Sequence, residues 1–382
     1  MQTPIYLDNN ASTRVDPSVL EAMLPYFTTD FANPTNVLHL PGRTAAAAIE
    51  LARSQVASAI GAESSEITFT SGATESNNIA ILGVARRAVG RFRHIITSSI
   101  EHSAVLEPCR QLEREGFRVS YLPVDSYGRV DPALVEQEIG EETFLVSVMA
   151  ANNEVGSLQP VAEIGSICRN HGVLFHTDAA QALGRIRTSV DDWGADLLSI
   201  SAHKHYGPKG AGALYVRKGA SQLLSPLQYG GHQEHGLRPG TPAVPLIVGL
   251  GAACHLASTK LDEDQRRLEY LRESLRAIIT DAIPDAVVNG HPLERLSGLL
   301  SLGFPNLDGD LLVHDLDRVA VSQGSSCSSG SFRPSHVLLA MGLPDSVLRS
   351  TIRFGIGRFT TEQEVEKAGA YVIEAVKRQR AL

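Results

Sequence analysis

The sequence is poor in the residues that build disulfide scaffolds and zinc sites. Its four cysteines, Cys109, Cys168, Cys254 and Cys327, are far apart, and no two form a C-x-x-C pair. Extracellular scaffolds of small domains are dense in cysteine, and structural zinc sites bring cysteines together in close spacings. The cysteine pattern therefore argues against a zinc knuckle and a secreted fold, and it fits a reducing cytoplasm.

The sequence also has no excess of basic over acidic residues and no long apolar run. Lys and Arg number 34 against 42 Asp and Glu, which gives a net charge of −8 and argues against direct nucleic-acid binding. The longest apolar stretch, residues 243–257, contains a proline and a histidine and falls short of the roughly 20 residues of a bilayer span. The first residues show no basic region followed by an apolar block, so we expect no signal peptide and no membrane association.

Short apolar runs alternate with stretches of helical periodicity over the first two thirds of the chain. The runs are continuous, as in strands that are buried on both faces of a parallel sheet. Predicted strands are 66–72, 93–99, 118–125, 143–154, 173–181, 196–205 and 212–218, and predicted helices are 43–60, 74–89, 102–115, 131–139, 160–171 and 245–257. A charged amphipathic helix over 258–280 precedes less regular strands and a final helix over 361–380. The pattern predicts a large α/β domain followed by a smaller α+β domain.

Polar residues cluster where predicted strands end, which is where open parallel sheets bind ligands. The strand before Ser71 leads through Gly72 and Ala73 into a helix, so that backbone N–H groups and the Thr74 hydroxyl form an anion site. The alternative is an ordinary helix cap with an acidic residue in the first turn. Asp178 follows another strand, with Gln181 three residues later, and here too a simple capping role stays open.

Lys204 lies between two histidines at the end of a third apolar strand. A lysine beside a buried strand either extends outward or is kept for reaction, and a partly desolvated amine can form a Schiff base with a carbonyl. His203 and His205 are two positions apart, a spacing at which two histidines can bind one metal ion. No third ligand lies nearby in the sequence, so we predict no metal site.

Cys327 lies in a run of serine and glycine, unlike the other three cysteines, which fall in helix-like patterns. Such a run predicts a mobile, accessible loop, and an accessible thiol is the better nucleophile. An incidental surface thiol is the alternative. A phosphate cradle, a strand-end carboxylate and a strand-end lysine together match what pyridoxal phosphate requires, so the residues indicate a pyridoxal-phosphate enzyme with an additional thiol.

The sequence resembles the cysteine desulfurases of the NifS/IscS type, within the class V aminotransferases. The resemblance extends over nearly the whole chain and rests on motifs in the expected order: YLDNNAST (6–13), NPTNVLHLPG (33–42), FTSGATESNN (69–78), EHSAV (101–105), NNEVG (152–156), HTDAAQALG (176–184), SAHKHYGPKG (201–210), GGHQEHGLRPGT (230–241), GSSCSSGSFRPSHVL (324–338) and STIRFGIGRFTTEQE (350–364). It implies the type I fold of pyridoxal-phosphate transferases. A large domain with a mainly parallel seven-stranded sheet would span 15–257, and a small α+β domain with the cysteine loop would span 1–14 and 258–382.

The resemblance also implies roles for individual residues. Cys327, Lys204 and His102 would be catalytic: the thiol takes the sulfur, the lysine forms the Schiff base, and the imidazole stacks on the cofactor ring. Asp178 would pair with the ring nitrogen and Gln181 with the ring hydroxyl. The phosphate would be held by Ala73, Thr74, Ser201 and His203, and by Thr241 of the partner subunit. The substrate carboxylate would be bound by Asn153 and Arg353. Asn153 would also be one of the cofactor-binding residues.

The implied function is removal of sulfur from L-cysteine, which gives L-alanine and a persulfide on Cys327. The partners would be a second copy of the chain and a sulfur-acceptor or scaffold protein. Iron–sulfur cluster assembly, nitrogenase maturation, tRNA thiolation and DNA phosphorothioation all stay open as destinations for the sulfur. Two alternatives remain: a cystine or selenocysteine lyase that does not need Cys327, and a non-catalytic sulfur-relay partner, against which the presence of Lys204, Asp178 and Cys327 argues.

Overall fold

A computed structural model describes residues 4–88, 92–323 and 334–381 of the chain. The strands in these ranges are β1 (Ile5–Tyr6), β2 (Ile67–Thr70), β3 (His94–Ser98), β4 (Arg118–Leu122), β5 (Thr143–Ser147), β6 (Leu174–Asp178), β7 (Leu197–Ser201), β8 (Gly212–Val216), β9 (Val287–Asn289), β10 (Leu299–Gly303), β11 (Val319–Ala320) and β12 (Thr351–Gly355).

The α-helices are α1 (Pro17–Met23), α2 (Pro25–Thr28), α3 (Leu40–Ile60), α4 (Ala73–Ala85), α5 (Ser103–Arg114), α6 (Pro132–Glu138), α7 (Val161–His171), α8 (Val244–Thr259), α9 (Leu261–Ala282), α10 (Gly309–Asp315), α11 (His336–Ala340), α12 (Asp345–Leu348) and α13 (Glu362–Arg380). Short 3₁₀ helices lie at Ser64–Glu66, Ala202–Lys204, Ala220–Leu223 and Gln233–Gly236.

The central sheet has seven strands in the order β2-β8-β7-β6-β5-β3-β4. Its strands β4, β3, β5, β6 and β7 run parallel, whereas β8 is antiparallel to both β7 and β2. Every residue of β2, β3, β5, β7 and β8 is buried, as strands with helices on both faces require. The seven predicted strands and the mainly parallel α/β architecture are confirmed.

The strand directions bring several chain segments to one edge of this sheet. Because β8 is antiparallel to both of its neighbours, β2 runs in the same direction as β7, and Thr70 and Ser201 both pair with Gly212. The carboxyl ends of β2, β7, β6, β5 and β3 therefore lie along the same edge. The segments that follow them carry the polar residues that the sequence analysis singled out.

A second, antiparallel sheet of order β12-β10-β9 lies in the C-terminal part of the chain. The helices α9 and α13 pack on each other, and their apolar faces join β10 and β12 in a separate core with Leu7 from the N-terminal segment. The short strands β1 and β11 pair in parallel. The N-terminal residues thus pack with the C-terminal part of the chain. No single described helix is long and apolar enough to cross a membrane, although the bent pair α8 and α9 meets that criterion jointly by length and composition.

Candidate active site

A cavity of about 670 Å³ lies at the carboxyl edge of the central sheet. It is bordered by the N-terminal segment through Asp8 and by β12 through Arg353, so that both parts of the chain contribute to it. Its walls include ten of the residues that the sequence analysis selected: Ala73, Thr74, His102, Asn153, Asp178, Gln181, Ser201, His203, Lys204 and Arg353. Thr241 is exposed and is absent from the lining residues in the described part of the chain, and Cys327 lies outside the described residues.

The turn between β2 and α4 forms a cradle for an anion. Its residue Gly72 stands at the N-cap with φ of 151° and supplies no side-chain cap, so the first N–H groups of α4 face the cavity from Ala73 and Thr74. The predicted acidic residue of the first turn, Glu75, is present, but no side chain caps the helix. A Cβ atom at Gly212 would lie 2.5 Å from the Gly72 Cα atom, so only glycine permits this close approach.

The cradle is attached to the segment 230–241 by an ion pair. Glu75 accepts the Ser71 N–H at 2.6 Å through one carboxylate oxygen and the Arg238 Nε–H at 3.0 Å through the other. A second ion pair, between Arg53 and Glu234, holds the same segment, and Glu234 also accepts the Phe69 N–H at 2.9 Å. The loop that ends at the exposed Thr241 is thus fixed to β2 at Phe69 and, through Glu75, to Ser71, which follows the strand.

The Lys204 amine is held at the sheet edge by the N-terminal segment. Its Nζ donates to the carbonyl oxygens of Asn10 and Ala11, both at 2.8 Å. Burial, followed by the neighbouring cations Arg185 and Arg353, lowers the pKa of Lys204 to about 8. A much larger fraction of this amine is therefore neutral, and hence nucleophilic, near neutral pH than for an ordinary lysine.

Asp178 and Gln181 are oriented by buried amides. The Asp178 carboxylate accepts the Asn77 side-chain amide at 2.6 Å and the Ala180 N–H at 2.9 Å. Gln181 exchanges two hydrogen bonds with Asn10, whose carbonyl also receives Lys204. The bond to Ala180 closes a local turn, but residues 179–196 contain no helix, so Asp178 is not the helix cap of the alternative interpretation, and it borders the cavity.

His102 begins α5, and its Nδ1 accepts the Ala104 N–H at 3.1 Å. This bond places the unprotonated nitrogen toward the helix, and burial lowers the pKa of His102. The preceding Glu101 is completely buried: one oxygen accepts from Ser98 and the Met149 N–H, and burial raises the pKa of this carboxyl to about 8. His336 lies beside it and also borders the cavity, with Nε2 at 2.9 Å from the Glu101 carbonyl oxygen.

Arg353 and Asn153 meet at the wall of the same cavity. The Arg353 Nη1 donates to the Asn153 carbonyl oxygen at 2.8 Å, and its Nη2 pairs with Asp8 at 2.9 Å. A guanidinium at the wall of a cavity is suited to bidentate binding of a carboxylate.

The other three thiols and His205 lie apart from this chemistry. Cys109, Cys168 and Cys254 are free and buried, and burial raises the pKa of each. His205 faces Cys254 at 3.5 Å, whereas His203 lies at the cavity, where burial lowers its pKa to about 4. Over the described ranges, no group of three His, Cys, Asp or Glu side chains is arranged to hold a metal ion.

Comparison with known proteins decides the family. The model of the class-V aminotransferases matches residues 5–368. The chain belongs to the class-V aminotransferases. It is 51% identical to a mouse (Mus musculus) protein named cysteine desulfurase, over 99% of this chain and 83% of the relative. Within the family, the chain therefore falls among the cysteine desulfurases.

Solved structures of class-V relatives agree with this assignment. One, described as a NifS-like protein, superimposes with a TM-score of 0.92 at 40% identity and covers 98% of this chain and all of its own. Another, described as SspA in complex with cysteine, has a TM-score of 0.82 at 39% identity and covers 94% of this chain and all of its own. The predicted family and its cofactor, pyridoxal phosphate, are confirmed.

Several residues at this class-V site were not selected from the sequence. Asp8 and Asn10 contact Arg353, Gln181 and Lys204, although both lie in the YLDNNAST motif, which could have indicated them. Arg185 is partly buried and donates to the Lys204 carbonyl oxygen at 3.2 Å. A lone arginine in a sequence gives no sign of its contacts in the fold, so nothing in the pattern marked it.

Proposed function

We propose that this chain removes sulfur from L-cysteine to give L-alanine, and that Cys327 receives the sulfur as a persulfide. The observation that carries the proposal is the position of Lys204. Its amine, with a lowered pKa, lies in one cavity with an uncapped helix N-terminus, a fixed carboxylate and a guanidinium.

The side chains of this cavity fit pyridoxal phosphate. Ala73 and Thr74 would hold the phosphate through the N-terminus of α4, together with Ser201, His203 and the partner subunit's Thr241. Lys204 would carry the covalent link. When bound, the cofactor accepts the electrons that are released as the Cα–H bond of the amino acid breaks.

The protein residues around the cofactor would orient it and move protons. Asp178 keeps its carboxylate in place through Asn77 and Ala180, so a negative charge is fixed where the protonated ring nitrogen would lie. Gln181 would bind the ring hydroxyl, and His102 would stack on the ring. Lys204, once released from the covalent link, is the amine best placed to transfer the substrate's Cα proton.

Arg353 and Asn153 would hold the substrate carboxylate, which leaves the substrate sulfur free to meet the Cys327 thiolate. In the transfer, an S–S bond forms as the Cβ–S bond breaks, and the electron pair of that bond is protonated at Cβ. One sulfur atom moves and no external oxidant or reductant is required.

We further propose a homodimer in the cytoplasm with two domains per chain, 15–257 and 1–14 with 258–382. The separate core that Leu7 shares with the C-terminal residues supports the division. Exposed apolar side chains between α2 and the first residue of α3 support an interface with a second copy: Phe31 is 73% exposed, Leu38 91% and Leu40 68%. The free, buried thiols are compatible with a reducing compartment. The sulfur acceptor would be a separate protein, in cluster assembly or in a thiolation pathway, and this chain would not bind nucleic acid itself.

The proposal is tested with purified protein, L-cysteine and a thiol reductant. We expect equal amounts of alanine and sulfide, no alanine from Lys204→Ala, and activity near that of the wild type from the nearby control Lys209→Ala. Pyruvate and ammonia in place of alanine would refute the proposed reaction. Sulfide released at the wild-type rate by a Cys327→Ser variant would instead favour a lyase that acts without this thiol.

A further inference from the structure

The guanidinium of Arg353 is fixed in one orientation by two partners. Its Nη2 pairs with the Asp8 carboxylate at 2.9 Å, and its Nη1 donates to the Asn153 carbonyl oxygen at 2.8 Å. The Arg353 side chain is only 7% exposed, so water does not loosen these contacts as it does for surface pairs. Rotation of the guanidinium would break both of them.

Neither of these two hydrogen bonds uses the Nε atom of Arg353. It is buried and has no hydrogen-bond partner among the described residues, while the side chain borders the cavity. Because water does not reach this atom, Nε is not the donor that meets a ligand in the cavity. Each Nη group carries a second proton that the bonds to Asn153 and Asp8 do not use, and these protons remain for a substrate carboxylate.

The position of Asp8 is itself determined by the backbone. Asp8 bridges to Gly355, which lies two residues beyond Arg353 on β12, and the Gly355 N–H donates to the carbonyl of Leu7, the residue before Asp8. The Asp8 carboxylate also accepts the Ser322 hydroxyl at 3.0 Å. Both members of the ion pair thus project from adjacent, hydrogen-bonded segments, and the pair is preorganised.

We propose that Asp8 is a positioning residue of the substrate site, which holds the Arg353 guanidinium in the orientation that binds the substrate carboxylate. The inference rests on the proposed function, in which Arg353 binds that carboxylate. Asp8 itself does not touch the substrate. Its loss leaves the cation in the cavity but frees it to rotate, so that recognition of the carboxylate weakens while the amine of the substrate and the cofactor are unaffected.

The test measures how the holoenzyme of Asp8→Asn binds two ligands, by the change in its visible absorbance. L-alanine carries the carboxylate, and cysteamine has an amine and a thiol but no carboxylate. We expect the dissociation constant of L-alanine to rise on the order of tenfold, as for the loss of a hydrogen bond to a charged group, and that of cysteamine to stay unchanged. The KM for L-cysteine rises with kcat nearly constant, and Asp8→Glu restores part of the affinity.

Asp264→Asn is the matched control. Asp264 pairs with Arg358 at 2.8 Å, and both side chains are about as buried as the Asp8 pair, but neither residue borders the cavity in the described part of the chain. This variant loses an arginine–aspartate pair and leaves the affinity for both ligands at the wild-type value.

The outcomes separate the inference from the function on which it rests. If Arg353→Gln leaves L-alanine binding unchanged, the proposed role of Arg353 fails. Arg353→Gln can weaken L-alanine binding while Asp8→Asn leaves it unchanged or tightens it. In that case only the positioning role of Asp8 is overturned. Equal weakening of L-alanine and cysteamine by Asp8→Asn, or loss of bound cofactor, would make Asp8 a residue of the fold and overturn the inference as well.

Discussion

Arg185 lies directly behind Lys204: its Nη2 donates to the Lys204 carbonyl oxygen at 3.2 Å and also to the Asn9 carbonyl at 2.9 Å. Burial lowers the pKa of Arg185 itself to about 10, yet the group stays cationic at neutral pH. After burial, Arg185 is the largest cause of the lowered pKa of Lys204. A fixed positive charge behind the amine thus favours its neutral form.

The rate at which Lys204 binds pyridoxal phosphate covalently should depend on this lowered pKa. The neutral amine attacks the aldehyde, so the rate at which cofactor-free protein gains visible absorbance with pyridoxal phosphate should rise with pH and level off above about 8. In Arg185→Met the rise should shift to higher pH, because a charge that disfavours the ammonium form is gone. The groups that also face this amine, Arg353, Asp178 and Asp8, remain in the variant.

Arg217→Met is the control for that experiment. Arg217 pairs with Asp191 and Asp196 away from the cavity. Its replacement should leave the pH profile where it is in the wild type. A profile that does not move in Arg185→Met would show that burial alone sets the basicity of Lys204.

Gly212 permits the cradle to lie against β8. In Gly212→Ala the new Cβ would meet the Gly72 Cα and the Ile200 carbonyl oxygen at 2.5 Å, and neither backbone atom can move without shifting the turn or the sheet. We expect a loss of about 1–3 kcal/mol in the free energy of unfolding, as for overpacked cores, and weaker retention of the cofactor phosphate. Denaturant titration and equilibrium dialysis against phosphate-free buffer would measure the two effects.

Gly140→Ala provides the comparison, because a Cβ there meets no atom within 4 Å. Its unfolding midpoint and cofactor content should match those of the wild type. A Gly212→Ala protein that retains both would show that the turn is not constrained by this contact.

The buried Glu101 makes stability depend on pH. Its pKa is about 8 in the folded chain against an ordinary 4.5, so the folded state holds a proton that the unfolded state has released between these values. The free energy of unfolding should fall as pH rises from about 4.5 to 8, by at most about 1.4 kcal/mol per unit from this one group. Glu101→Gln cannot titrate, and its carbonyl can still accept from Ser98 and Met149.

Denaturant unfolding at pH 5.5 and 8 would measure this effect. The stability of Glu101→Gln relative to the wild type should increase between the two values. Glu107→Gln, at an exposed position of α5, should keep a constant difference from the wild type. A constant difference for Glu101→Gln would mean that its carboxyl is ionised in the folded protein.

Strand positions were predictable because burial on both faces leaves continuous apolar runs, and helix ends were predictable to within a few residues. The predicted helix 43–60 begins at Leu40 in the structure because the His39 imidazole accepts the Gly42 N–H at 2.9 Å, and histidine is not a usual capping residue. The strand-end clustering of Thr74, Asp178 and Lys204 followed from the parallel sheet alone.

The contacts between distant segments could not be predicted in this way. Lys204 is held by two backbone carbonyls of residues 10 and 11, and a carbonyl has no residue-type signature. Asp8 and Arg353 are 345 positions apart, and neither a period nor a spacing connects them. The Asp8–Arg353 pair forms because β1 pairs with β11 and Asp8 bridges to Gly355 of β12, which brings the two ends of the chain together.

The central claim, that sulfur passes from the substrate to Cys327, is tested most directly by mass. Wild-type protein that is exposed briefly to L-cysteine, then alkylated and digested, should carry one additional sulfur atom, about 32 Da, on the peptide that contains Cys327. Cys327→Ser should retain the visible band of the cofactor, respond to L-cysteine in its absorbance, gain no mass and form almost no alanine. Alanine formed at the wild-type rate by Cys327→Ser, or added sulfur on Cys109, Cys168 or Cys254 alone, would contradict the account.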